Sequence, residues 1–206
     1  MKLLTSLLFL PALILCAPAG ESPRSGQTAP VQFISASASG SGCPQGVSTI
    51  IDDPGTTLTL GFDQYQTQVE PGVPGSEREK NCDIFLTLRY PLGCTSTTMS
   101  ATYHGFAQLQ SGVGGAFPAS YVLSPGAVTS SQPPTTKFDA TEFGTPGGVY
   151  TRNDAVTAKE DIRNANQQVV SLAVRTRVIL QPINQTVAGT LTLDDASFQI
   201  TEQQHC

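Results

Sequence analysis

Short segments in which apolar and polar residues alternate recur along this chain, and they constrain its fold more than any other feature. Successive side chains of a strand point to opposite faces, so this alternation is typical of a β-strand with one buried face. The strongest segment spans 169–180 (VVSLAVRTRVIL), and 82–90 (CDIFLTLRY) also alternates clearly. Seven further segments have the composition or alternation expected of strands: 31–37, 47–51, 56–62, 97–110, 117–123, 149–157 and 189–200.

Gly, Pro and Ser residues separate these segments, and sustained helical periodicity is absent. We therefore predict an all-β chain folded as two packed antiparallel sheets, a β-sandwich, with a β-barrel as the alternative. Residues 31–206 are expected to form one domain. A short helix is considered only within 153–168. We expect a flexible N-terminal lead at 20–30 and a long exposed loop at 124–137.

The composition argues against several classes of partner. Only 13% of the residues are charged, and 16 acidic against 11 basic side chains give a formal net charge of −5. A polyphosphate backbone attracts basic proteins, so we predict no nucleic-acid binding. Two histidines in 206 residues exclude a His-rich metal site, and we expect no metal and no cofactor.

Residues 1–19 have the layout of a secretory signal peptide. Lys2 precedes an apolar run over 3–15, and Ala17 with Ala19 forms an A-x-A cleavage site. The run is shorter than the about 20 apolar residues that span a bilayer, and no later segment is long enough either. We therefore predict a secreted, extracellular protein without a membrane span.

Four cysteines remain after this cleavage: Cys43, Cys82, Cys94 and Cys206. An even number of cysteines in an oxidising compartment predicts two disulfides, with three connectivities open. Zinc binding is disfavoured because no two cysteines have C-x-x-C spacing.

The tripeptide Asn184-Gln185-Thr186 is the one N-glycosylation acceptor of the chain. It follows the strongest predicted strand and lies next to Pro182. We expect Asn184 to occupy a surface turn that can carry a glycan.

Several short motifs occur in a recognisable order: Gly40-Ser41-Gly42-Cys43-Pro44, Phe62-Asp63, Pro71-Gly72, Lys80-Asn81-Cys82 and 102–109 (TYHGFAQL). Their order and spacing resemble a family of small secreted fungal proteins described only as a domain of unknown function. The resemblance is close over 31–123 and looser in the C-terminal half. It implies secretion and the fold, and it implies no activity.

Within the part of the chain that resembles this family, Cys43 and Cys82 flank adjacent strands, and we predict that they pair. Cys94 is then left for Cys206. The chain departs from the family pattern here, because relatives usually have a cysteine in a Ser-Pro-Cys-Gly stretch that this sequence lacks.

His104 is the one histidine among the predicted strands. A catalytic base needs a nucleophile and an orienting carboxylate, and the chain has no G-x-S-x-G motif that would supply a nucleophilic serine. We expect the ring of His104 to hydrogen-bond to a loop, and Gly105 to mark a bulge or a close backbone approach.

A glycosidase needs two carboxyl groups about 5–10 Å apart across a cleft. The chain has three acidic pairs: Asp52 with Asp53, Glu77 with Glu79, and Asp194 with Asp195. The first precedes Pro-Gly and is typical of a turn, and the second lies in a charged loop. The third is expected in a strand, where neighbours point to opposite faces. We therefore predict no catalytic centre.

Three residues are our candidates for ligand contact: Tyr103, His104 and Tyr121. Aromatic rings often bind sugars and Trp is absent, although tyrosines on strands are more often core residues. Arg175 and Arg177 share a strand face and could bind an anion, but we expect them to cover a sheet face as solvated side chains.

Together these features predict a secreted, non-enzymatic β-sandwich, acting as a monomer at a cell surface or as an effector-like binding protein. Its partner would be an extracellular protein or a glycan. The alternatives are a carbohydrate-binding or carbohydrate-active module and a structural wall-associated protein.

Overall fold

A computed structural model describes residues 30–91, 94, 96–124, 127–128, 135–159 and 168–204. These residues form two antiparallel sheets, one 3₁₀ turn (Gly75–Arg78) and one short helix, α1 (Ala140–Phe143). The strands are β1 (Gln32–Ser39), β2 (Ser48–Ile51), β3 (Thr57–Gly61), β4 (Gln66–Val69), β5 (Glu79–Tyr90), β6 (Ser96–Leu109), β7 (Val113–Phe117), β8 (Ala119–Ser124), β9 (Ala127–Val128), β10 (Thr136–Phe138), β11 (Gly148–Lys159), β12 (Gln168–Pro182), β13 (Gly189–Thr192) and β14 (Asp195–Gln204).

The two sheets pack face to face and are not closed into a barrel, so the predicted sandwich is confirmed. Sheet I has the order β1-β5-β12-β7-β10, with β8 also paired to β12. Sheet II has the order β2-β3-β14-β6-β11-β9, and β13 pairs with both β4 and β6. The chain passes from one sheet to the other several times, so strands that are consecutive in sequence often belong to different sheets. Neither sheet is therefore a simple meander.

The centre of sheet I is the strand with the strongest alternation in the sequence. β12 pairs with β5 in a register that places Leu172 opposite Leu86 and Val174 opposite Ile84. All four side chains are 0% exposed and face sheet II across the core. Every second side chain of each strand is thus removed from water, and this burial of apolar surface is the main favourable contribution to folding.

All nine predicted segments contain strand residues, but β4 and all of β7 except Phe117 lie outside them, and other regions also differ. The segment 189–200 is divided into β13 and β14 by an irregular stretch at Leu193 and Asp194, and both strands run antiparallel to β6. The helix considered within 153–168 is wrong over 153–159, which is the second half of β11, and 160–167 lie outside the described residues. The predicted loop 124–137 contains β9 and the start of β10.

Helix α1 lies where no helix was predicted, and a local cap explains it. The Asp139 carboxylate accepts hydrogen bonds from the backbone N–H groups of Thr141 and Glu142 at 2.7 and 3.2 Å. These two bonds lower the pKa of Asp139 below its ordinary value. An N-cap of this kind satisfies donors that the first helical turn leaves free.

The predicted Cys43–Cys82 disulfide is present, with a Cα–Cα distance of 5.7 Å. Cys94 is buried, at 0% exposure. Cys206 lies outside the described residues, as do the predicted signal peptide 1–19 and residues 20–29 of the predicted lead.

Pairing of Cys94 with Cys206 therefore stays a prediction, and peptide mapping tests it. Proteolysis of the secreted protein without reduction should yield a peptide that links Cys94 to Cys206. A peptide that contains free Cys94, or one that links Cys206 to another chain, would contradict the pairing.

A buried ion pair on β11 is hydrogen-bonded to groups of the opposite sheet. Arg152 and Asp154 both lie on β11 and face inward, each 6% exposed. The Arg152 guanidinium donates to both carboxylate oxygens of Asp154, from Nε at 2.9 Å and from Nη2 at 2.8 Å. A third donor, Nη1, bonds to the backbone carbonyl of Phe117 on β7 in the opposite sheet.

Two tyrosines complete this cluster. The Tyr121 hydroxyl on β8 donates to Asp154 Oδ2 at 2.7 Å, and the Tyr103 hydroxyl lies 2.7 Å from that of Tyr121. Burial raises the pKa of both phenols above the ordinary value, so they stay protonated and serve as donors. The carboxylate of Asp154 is thus compensated by one cation and one hydroxyl group, as a buried charge requires.

Removing one partner of this ion pair should be strongly destabilising. We expect Asp154→Ala to lower the free energy of unfolding by about 3–5 kcal/mol, because Arg152 is left buried and uncompensated. Urea unfolding measures the change, with Asp195→Ala as the control. Asp195 has an exposed partner, so its loss should cost about 1 kcal/mol or less.

A double variant separates loss of the ion pair from loss of packing. Arg152→Met with Asp154→Leu removes both charges, and it should recover most of the stability that Asp154→Ala loses. If Asp154→Ala cost no more than Asp195→Ala, the buried pair would not be what joins the sheets.

Candidate functional site

The solvent-facing side of β5 carries an aromatic residue, Phe85, at a position where an alternating strand is expected to have a polar one. Ile84, Leu86 and Leu88 are buried, while the opposite phase of the strand faces solvent. In that phase Phe85 stands between Asp83 and Thr87, and its side chain is 43% exposed. Phe85 is thus a large apolar side chain that stays partly exposed on the outer surface of sheet I, where a ligand could cover it.

Strand pairing places Phe85 in a row of side chains that crosses four strands of sheet I. The row consists of Ser37 on β1, Phe85 on β5, Ala173 on β12 and Val122 on β8. Val122 is 49% exposed. Because Ser37 and Ala173 are small, they leave both flanks of the ring open.

Polar rows lie on both sides of this apolar row. One contains Ser35, Thr87, Ser171 and Ser124, and the other contains Ser39, Asp83, Arg175 and Ser120. Arg175 Nε lies 4.0 Å from Asp83 Oδ1, and both side chains are largely exposed. We call these three rows, twelve residues in all, the Phe85 face.

The hydroxyl groups of the Phe85 face are free to bond outside the protein. Among the described residues, no side-chain hydrogen bond of its serines or of Thr87 is formed within the chain. The face therefore offers an aromatic surface, a hydroxyl row and one carboxylate–guanidinium pair. That combination can hold a ligand with both apolar and hydroxyl-bearing surfaces.

The structure does not bring together the three residues predicted to contact a ligand. Tyr103 is 0% and Tyr121 9% exposed, and their hydroxyls lie 2.7 Å apart in the core cluster, so neither ring lies on the surface; their role in ligand contact stays a prediction. His104 follows Tyr103 on β6 and therefore points to the opposite, outer face of sheet II.

His104 has a carboxylate partner that the sequence did not reveal. Its Nδ1 lies 2.7 Å from Asp195 Oδ1, because β14 pairs with β6 and sets these residues opposite each other. The expected bond to a loop is thus wrong, since Asp195 begins a strand. In the part of the chain that the structure describes, no Ser, Thr or Cys side chain bonds to the ring.

Gly105 shows the close backbone approach that was predicted. A Cβ atom at this position would lie 2.2 Å from the carbonyl oxygen of Thr192 and 2.6 Å from the hydroxyl of Tyr150. Any larger residue would separate the strands here.

The remaining acidic and basic candidates are surface groups. Asp52 accepts a bond from the backbone N–H of Thr57 at 2.7 Å, which lowers its pKa and fits the predicted turn. Asp194 lies in the irregular stretch between β13 and β14 instead of in a strand. The two arginines of β12 are exposed as expected, and Arg177 pairs with Glu79 through its Nε at 2.8 Å.

Among the described residues, no three His, Cys, Asp or Glu side chains are close enough to hold a metal ion. No helix among them is both long and apolar enough to cross a bilayer.

A model of the family described as a domain of unknown function, DUF4360, matches residues 29–206. The chain belongs to this family. The resemblance inferred from the short motifs is thus confirmed, and it extends over the C-terminal half.

A relative of known sequence supports the same assignment. An uncharacterized secreted protein of Arthroderma benhamiae is 32% identical over 172 residues, which cover 82% of this chain and 68% of the relative. Its description as secreted agrees with the location predicted from residues 1–19.

Three of the family motifs meet at one end of the sandwich. The disulfide joins Cys43 to Cys82, and the Ser41 hydroxyl bonds to Asn81 Oδ1 at 2.9 Å and accepts from its backbone N–H at 3.1 Å. Asp63 and Pro44 both line a pocket there.

The acceptor tripeptide has a local geometry suited to glycosylation. Asn184 and Thr186 are exposed, and the Asn184 amide oxygen accepts bonds from the Thr186 N–H at 2.9 Å and hydroxyl at 2.7 Å. Such an Asx turn holds the amide and the hydroxyl together on the surface.

We expect Asn184 to carry an N-linked glycan in protein secreted from a eukaryotic host. Endoglycosidase treatment should increase the electrophoretic mobility of the protein, and Asn184→Gln should remove that change. Unchanged mobility of the wild-type protein after treatment would contradict the prediction.

Proposed function

We propose that this family member is a secreted, non-catalytic glycan-binding protein whose ligand lies on the Phe85 face. The observation that carries the proposal is the exposed Phe85 ring in an open row between two polar rows. The secreted relative and the predicted signal peptide support an extracellular role.

The dimensions of the apolar row favour a sugar over a protein partner. The row is one side chain wide, and neighbouring rows along a strand are about 7 Å apart, twice the rise per residue. Protein interfaces usually depend on a larger apolar centre that is fully desolvated. A sugar ring presents a face of C–H groups with hydroxyls at its edge, which matches one aromatic ring with polar rows on either side.

The polar rows supply both kinds of hydrogen-bonding group. Asp83 accepts bonds from two sugar hydroxyls, and Arg175 donates to hydroxyl or ring oxygens. Because these two charges lie together, they add little net charge to the face. An uncharged polysaccharide therefore suits the site better than a strongly acidic one.

A binding role without catalysis is consistent with the position of the acidic groups. Hydrolysis of a glycosidic bond needs two converging carboxyl groups. On the Phe85 face Asp83 is paired with Arg175, and the His104–Asp195 pair lies on the other sheet.

Removal of the ring tests the proposal directly. We expect secreted wild-type protein to be retained on at least one of insoluble chitin, β-1,3-glucan or mannan, and Phe85→Ala to lose about tenfold or more in affinity. Phe85 is half exposed, so the variant should keep its fold, as urea unfolding can verify. Val149→Ala is the matched control, since Val149 is 83% exposed on the other sheet.

Three outcomes would contradict the proposal. Equal retention of wild-type and Phe85→Ala protein would show that the polymer binds elsewhere on the protein. No retention on any of the polymers would show that these glycans are not its ligands. Sustained release of soluble sugar that His104→Ala abolishes would show catalysis instead.

A further inference from the structure

A second feature, separate from the Phe85 face, is a pocket at the disulfide end of the sandwich. Its volume is about 210 Å³, and it lies between the loop 43–48 and the two residues that follow Phe62. The loop leads into β2, and Asp63 and Gln64 follow β3, so the pocket opens at the β2–β3 edge of sheet II. The Phe85 face is the outer surface of the other sheet.

The loop that forms one wall is held in place by covalent and hydrogen bonds. The disulfide anchors Cys43 to β5, and the Gly46 N–H bonds to the Cys43 carbonyl at 3.0 Å. At its start, Gly40 has φ +146°, and a Cβ there would lie 2.3 Å from the carbonyl oxygen of Asn81. The segment is thus bonded to β5 at three points: Ser41, Gly42 (whose N–H bonds to the Asn81 carbonyl at 2.8 Å) and Cys43.

Hydrogen bonds and an aromatic contact also hold the opposite wall of the pocket, Asp63 and Gln64, in place. The Phe62 N–H bonds to the Asp194 carbonyl at 2.9 Å, and Gln66 N–H bonds to the Gln64 carbonyl at 2.9 Å. The rings of Phe62 and Tyr65 meet edge to face at 5.4 Å in the core beneath Asp63 and Gln64. A pocket whose walls are ordered before binding loses little conformational entropy on binding.

The side chains that line the pocket are mostly polar and carry one charge. Gln45 and Gln64 offer amide donors and acceptors and Asp63 offers a carboxylate, while the Ser48 hydroxyl donates to the Gly61 carbonyl at 3.4 Å. Pro44 and Val47 supply a small apolar part of the lining. This set resembles a site for a compact ligand that bears several hydroxyl groups.

We infer that this pocket binds a single sugar residue, as a second site independent of the Phe85 face. Its volume is below the about 300 Å³ at which pockets for drug-sized ligands begin, so one ring fits and a chain does not. Two amides and a carboxylate can bond to adjacent hydroxyls of such a ring, while Pro44 and Val47 contact its C–H groups. One carboxylate among neutral groups is a poor match for a divalent cation, which takes six to eight oxygen ligands when it is calcium.

Titration of ¹⁵N-labelled secreted protein, followed by NMR, tests the inference. The probes are D-glucose, D-mannose, D-galactose and N-acetyl-D-glucosamine. At least one should shift the amide signals of residues 43–48 and 61–64 saturably, with a Kd on the order of 1 mM. Asp63→Asn should weaken this binding about tenfold, because a hydrogen bond to a charged group is lost. Glu70→Gln, which alters an exposed carboxylate outside the pocket, should change nothing.

Phe85→Ala separates this inference from the proposed function. The variant should lose polymer retention and keep the sugar-induced shifts at the pocket. The inference is overturned if no sugar causes saturable shifts there, if Asp63→Asn binds as tightly as wild type, or if calcium or methylammonium ions cause the shifts and the sugars do not.

Discussion

The bidentate ion pair between Arg152 and Asp154 is the interaction on which the rest of the sandwich depends. Both residues lie on one strand of sheet II, yet the groups that complete their hydrogen bonds come from sheet I: the Phe117 carbonyl and the Tyr121 hydroxyl. Apolar packing tolerates small shifts between sheets, whereas a buried charge does not, because an unmade bond costs its full desolvation. With Tyr121 held inward, Val122 must face outward, where it ends the row that contains Phe85.

The sequence was sufficient to predict the strands with strong alternation and insufficient to predict their partners. β12 and β5 were recognised because one phase of each is apolar, and the same rule failed for β7 (VGGAF), whose glycines hide its pattern. Pairing is non-local: β12 contacts β5 across about ninety residues of chain, and only the folded core selects that partner. The buried pair was missed for a related reason. Arg152 and Asp154 share the phase of Tyr150 and Val156, so their burial follows from the alternation, but charged side chains there look like surface residues.

The same distinction applies to the candidate site: strand periodicity predicts some of its features, and long-range strand pairing determines the others. Phe85 could have been found, since it is the large apolar residue in the polar phase of β5, and strand periodicity alone places it on the surface. The same periodicity shows that Tyr103 and His104, as neighbours on β6, cannot share a face. The partnership of His104 with Asp195 could not have been found, because the two residues are 91 positions apart and meet only through the register of β14 on β6.

The outer faces of the two sheets differ in whether their polar side chains are hydrogen-bonded to one another. This difference determines how many internal hydrogen bonds a ligand would have to break. On sheet II the side chains bond to one another across strands: His104 to Asp195, and the Thr102 hydroxyl to Asn153 Oδ1 at 2.8 Å. A ligand there would have to break these bonds to replace them. Within the described part of the chain, the serine hydroxyls of the Phe85 face form no side-chain hydrogen bond, so a ligand there would break none and would cover the exposed ring as well. A ligand on sheet I, as proposed, would thus displace fewer internal hydrogen bonds than one on sheet II, even though sheet II carries the histidine.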